Sequence, residues 1–78
     1  MNQDHLKTFV TVANNRSFSE AARILFLSQP TITSQIKSLE RSLNVSLLNR
    51  TSKYVELTPA GNILYSYAKD ILDLSRTS

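Results

Sequence analysis

The chain has 78 residues, enough for one small domain, and its lack of cysteine excludes disulfide staples, thiolate metal sites and a cysteine nucleophile. Hydrophobic residues make up 41% and charged residues 19%, the balance of a folded chain rather than a disordered tail. The net charge of +3 is uneven: residues 1–57 hold Lys7, Arg16, Arg23, Lys37, Arg41, Arg50 and Lys53 against Asp4, Glu20, Glu40 and Glu56, whereas residues 58–78 balance Lys69 and Arg76 against Asp70 and Asp73. The basic excess therefore sits where a polyanion could dock.

Four helical segments read out in chain order. In the first, Leu6, Phe9, Val10 and Ala13 repeat at i, i+3, i+4 and i+7 and share one buried face, and Asn14-Asn15 ends it. In the second, Ser17 and Glu20 form an S-x-x-E capping box, and Phe18, Ala21, Ala22 and Leu25 follow on one face. The two alanines let another helix approach closely.

The third segment has the sharpest pattern. Ile32, Ile36, Leu39 and Leu43 fall within a narrow arc and are expected to point inward. Ser28 is the expected N-cap, and Pro30 fits the first turn, where an N–H has no partner anyway. Only a few residues near Phe26-Leu27-Ser28 separate the second and third helices, which forces a helix-turn-helix corner.

Residues 45–57 change character. Val45, Leu47 and Leu48 lead into a polar stretch, Asn49 to Tyr54, after which Val55 and Leu57 alternate with Glu56. This predicts a small β-hairpin with a basic tip holding Arg50, Ser52 and Lys53, although no glycine marks its turn. Thr58-Pro59 then opens a fourth helix running toward the C-terminus.

The expected fold is mainly α: a winged helix-turn-helix, with a three-helix core and a small β-hairpin wing, over residues 1–57. A long linker helix over residues 58–78 follows it.

With the third helix's apolar stripe inward, Pro30, Ser34, Lys37 and Arg41 point outward, Thr33 and Ser38 flank them, and Gln29 projects from the N-terminal end. That face carries hydroxyls, an amide and two cations but no carboxylate. Such groups suit the major groove, because Gln pairs bidentately with adenine, Ser and Thr donate or accept, and Lys reaches guanine or phosphate. Cations on the hairpin tip suit a phosphate or the minor groove beside that helix.

At this point the residues resemble a known family. The run from Ala21 to Glu40, AARILFLSQPTITSQIKSLE, with Leu47-Leu48-Asn49-Arg50 and Leu57-Thr58-Pro59-Ala60-Gly61, resembles the N-terminal DNA-binding domain of LysR-type transcriptional regulators. The likeness covers nearly the whole chain. It implies a bacterial, sequence-specific regulator acting on duplex DNA, and the two-fold symmetry of a dimer would set two recognition helices on an interrupted palindromic operator. On matching positions, Gln29, Pro30, Thr31, Thr33 and Ser34 meet the major groove, Ser28 and Lys37 support them at phosphates, and Arg50, Ser52 and Lys53 serve the wing. Three departures stand out: Ser34 replaces a residue often larger or basic, Leu48 replaces a common phenylalanine, and the wing has Tyr54 and no glycine.

The resemblance also implies dimerisation through the fourth helix, antiparallel to its copy, and a higher assembly in a full-length protein. The apolar residues of that helix, among them Ile63, Leu64, Tyr67, Ala68, Ile71 and Leu72, cover about 200° of its circumference, more than the ~100° needed to pack on one core. A small-molecule effector is expected to act only through a further domain absent from these residues. No cofactor, metal or membrane partner is expected. The compartment expected from the absence of an export signal and of cysteine is the cytoplasm, at the nucleoid.

Two rival functions are weaker. Asp70 and Asp73 lie at i, i+3, but no catalytic base accompanies them, and the one histidine, His5, supports no triad, so no enzyme is expected. A protein-interaction winged helix would carry an apolar outer face where this chain has Ser34, Lys37 and Arg41.

Overall fold

The computed structural model describes the backbone of residues 2–50 and 55–77 and the side chains of 2–50 and 55–73. The chain forms α1 (Gln3–Asn15), α2 (Phe18–Leu25), α3 (Gln29–Leu43), β1 (Leu48–Arg50), β2 (Val55–Leu57) and α4 (Pro59–Thr77). This is the mainly α, winged helix-turn-helix arrangement that the sequence pattern predicts.

Each helix starts on a side-chain acceptor, which satisfies N–H groups that the helix itself cannot. Asn2 Oδ1 accepts from the Asp4 N–H at 2.8 Å, and Ser17 Oγ accepts from Glu20 at 3.1 Å. Ser28 Oγ accepts from Thr31 at 3.2 Å, and Thr58 Oγ1 accepts from Gly61 at 2.9 Å. The first three helices end on Arg16, Phe26 and Asn44, with φ of 50°, 57° and 55°. Left-handed caps favour glycine, yet the chain's single glycine, Gly61, is used elsewhere.

The core is built around α1, which packs against α2, α3, α4 and β2. That central position widens the buried arc beyond the single expected face. Leu6, Phe9 and Val10 are buried as predicted, Thr8 and Val12 on the other side of the helix are buried too, and Ala13 is half-buried. Thr8 is the one buried polar residue among the described residues, and its hydroxyl donates to Gln35 Oε1, tying α1 to α3.

Phe18, Ala21 and Ala22 of α2 and Ile32, Ile36 and Leu39 of α3 complete the three-helix centre. Leu43 departs from the expectation: at 36% exposure it is not a core residue. It keeps the angular register of the stripe, but it is the last helical residue before the Asn44 cap.

The strands pair antiparallel, with Leu48 opposite Leu57 and Arg50 opposite Val55. Arg50 therefore stands in the ladder rather than at the tip of the wing, while Ser52 and Lys53 lie outside the described residues. Leu47, Leu48 and Val55 close the core from this side.

The start of α4 locks onto the residues before β1. Thr58 Oγ1 donates to the Ser46 carbonyl at 2.6 Å, and the Thr58 N–H donates to the Leu47 carbonyl at 3.0 Å. A Cβ at Gly61 would lie 2.1 Å from that same Leu47 oxygen, so only glycine allows this approach. Farther along, Ala68 is fully buried, and Leu64, Tyr65 and Leu72 pack on the core. The Tyr65 hydroxyl donates to Asn14 Oδ1. Among the described residues, no helix is long and apolar enough to cross a membrane.

Candidate nucleic-acid interface

Burial of Ile32, Ile36 and Leu39 fixes which side of α3 faces outward. Gln29, Pro30, Thr33, Ser34, Lys37 and Arg41 line one open groove, and Arg50 from β1 joins them from the side. Every one of these residues is exposed except Thr33, which is half-buried. Three cations and several uncharged hydrogen-bonding groups converge there, and no carboxylate is among the lining residues.

The groove has two mechanical supports. The Arg50 guanidinium lies over the Phe18 ring, 4.2 Å from its centroid, so the first residue of α2 braces the end of β1. At the other end of β1, Glu40 Oε2 accepts from the Leu47 N–H at 2.7 Å and the Leu48 N–H at 3.4 Å. A carboxylate in the last turns of a helix is disfavoured by the helix dipole. Two backbone N–H donors offset that here and tie α3 to the wing.

Ser28 and Thr31 are not among the residues lining the groove. Their hydroxyls bond to each other at 2.9 Å as part of the α3 cap, at its N-terminal edge. Arg23 pairs with Glu20 at 2.9 Å on the outer surface of α2. Among the described residues, no group of histidine and carboxylate side chains is placed to hold a metal ion.

Residues 3–62 match the model of the bacterial regulatory helix-turn-helix proteins of the LysR family. The chain belongs to that family.

Among similar proteins is a probable RuBisCO transcriptional regulator of Trieres chinensis, 45% identical over 73 residues, covering 94% of this chain and 24% of that protein. Another is the transcriptional regulator CysL of Bacillus subtilis, 43% identical over 74 residues, covering 95% of this chain and 25% of that protein. The chain thus spans about a quarter of the length of these relatives. Among solved structures, the BenM DNA-binding domain in complex with catB site 1 DNA superposes with a TM-score of 0.95 at 39% identity, covering 99% of this chain and 86% of that one.

Within this LysR-family domain, sequence reasoning placed Gln29, Pro30, Thr33, Ser34, Lys37 and Arg50 in one site, and the fold brings them together. Arg41, outward-facing on the helical wheel, joins them in the groove although the family resemblance assigns it no role. Sequence reasoning missed the support roles of Glu40 and Phe18. The signal for Glu40 was a carboxylate near the negative end of a helix, which needs a local reason. Phe18 gave no signal beyond its apolar face. The α4 residues divide: Ala68 is consumed by the domain's own core, Leu64, Ile71 and Leu72 are half-buried, and Ile63 and Tyr67 stand 73% and 65% exposed.

Proposed function

We propose that this chain is the double-stranded DNA reader of a transcription regulator, with α3 lying in the major groove. The observation that carries this is the groove of Gln29, Thr33, Ser34, Lys37, Arg41 and Arg50, which joins base-pairing side chains to cations without a carboxylate. The DNA complex of the similar BenM domain supports the same reading.

In this reading Gln29, Pro30, Thr33 and Ser34 meet base edges, and Thr31 approaches them from the cap. Ser28, Lys37 and Arg41 hold phosphates, which set the register of the helix on the duplex. Arg50, with Ser52 and Lys53 of the wing, contacts the backbone or minor groove beside it. Two copies pair through α4, along the stripe of Ile63, Tyr67 and Ile71 with Leu64 and Leu72 at its edge. Two-fold pairing presents two α3 helices to the half-sites of an interrupted palindrome.

Base reading is tested on Gln29. Selection of bound sequences from random DNA defines the preferred site. On that site Gln29→Ala is expected to cost about 1–3 kcal/mol and to relax one base position, while binding to random duplex stays nearly unchanged. Equal losses on preferred and random DNA would remove Gln29 from base reading.

A further inference from the structure

The three-residue strand β1 is held at both ends by elements outside its sheet. Glu40 of α3 fixes its start through two N–H groups, and Phe18 of α2 meets its last residue, Arg50. Phe18 belongs to the buried core at 7% exposure, so its ring is itself immobilised by packing. Arg50 is exposed and lines the α3 groove with Lys37 and Arg41.

A guanidinium stacked on an aromatic face keeps its N–H edge available, because stacking uses the flat π surface and hydrogen bonding uses the rim. An arginine free in solvent loses rotamer freedom when it binds a phosphate, and a pre-oriented one has less to lose. A lysine in its place would have charge but no planar surface to stack.

We propose that Phe18 is a positioning residue for Arg50: its ring holds the guanidinium beside α3 with the N–H edge turned to a phosphate of the bound duplex. The proposal rests on the DNA-binding reading above. It assigns to a core phenylalanine of α2 a share in affinity, exerted through Arg50 rather than by touching DNA. The competing role is purely structural, with Arg50 only covering the ring.

The test replaces Phe18 with a ring-fluorinated phenylalanine, trifluorophenylalanine, which keeps nearly the same shape but withdraws the electron density that attracts the cation. Binding to a labelled random-sequence duplex is followed by fluorescence anisotropy across a salt series. The fluorinated domain is expected to melt like the unmodified one and to bind about 3- to 10-fold more weakly. Its salt slope is expected to be unchanged, since no charge is lost. Arg50→Lys is expected to behave in the same way, whereas Arg50→Ala should lower the slope by about one per protomer, or about two for a bound dimer.

In the Arg50→Ala background, fluorination is expected to change nothing further. An unchanged affinity on fluorination alone, or an equal loss with and without Arg50, overturns the positioning role. An unmodified domain that binds no duplex, or binds it without salt dependence, overturns the DNA reading itself, and the proposal with it. The two failures are thus told apart by the unmodified protein.

Discussion

Gly61 has no room for a side chain, since its Cβ position lies 2.1 Å from the Leu47 carbonyl oxygen at the junction of α4 with the wing. Gly61→Ala must push backbone apart, and a loss of about 1–3 kcal/mol of stability is expected in denaturant titrations. Phe26 presents the opposite case. It is 94% exposed and adopts φ 57° at the end of α2, so it contributes little packing while occupying a left-handed conformation. Phe26→Gly is expected to stabilise the domain by about 0.5–1 kcal/mol, a rise in melting temperature of roughly 2–8 °C for a domain of this size. Glu40→Ala removes the acceptor for two backbone N–H groups and should cost about 1.5–3 kcal/mol, with Glu40→Gln recovering part of it through its remaining carbonyl oxygen.

At the scale of elements, α3 separates stability from binding by face. Ile36→Ala and Leu39→Ala are expected to cost about 2–5 kcal/mol in thermal or denaturant melts, because both side chains are buried in the centre. Leu43→Ala should cost under about 1 kcal/mol, since that side chain is already partly in water. Lys37→Ala should leave the melt unchanged and weaken DNA binding.

Periodicity, with the cap and proline signals at Ser17, Ser28, Pro30 and Thr58-Pro59, makes the helices legible, because helices that bury one stripe write that stripe into the chain. What it could not show was how many neighbours a helix has. α1 looked one-sided, yet Thr8 and Val12 are buried because α1 is surrounded. Leu43 continued the stripe in register but stands at the helix end. The groove was legible from α3 because its residues are local in sequence. The Phe18–Arg50 contact was not, since it joins the first residue of α2 to the end of a strand far along the chain. The left-handed caps at Arg16 and Phe26 were equally silent, because neither is the glycine or asparagine that signals such a position.

At the scale of the molecule, α4 gives only part of its apolar surface to the domain. Ala68 is buried and Leu64, Tyr65 and Leu72 lean on the core, while Ile63 and Tyr67 lie in water one helical turn apart. Pairing of two copies along that stripe is expected to give a dimer at micromolar concentration in analytical ultracentrifugation. Because both residues are exposed, Ile63→Asp with Tyr67→Asp should yield a helical monomer that binds a palindromic site poorly. Whether the basic face of α3 and the wing grip duplex DNA is read out by the salt dependence of binding by the unmodified domain. If a dimer neutralises about six to ten phosphates, affinity should fall roughly 10³–10⁵-fold between about 50 and 200 mM salt. An affinity that stays flat across that range would mean that this face does not hold phosphates.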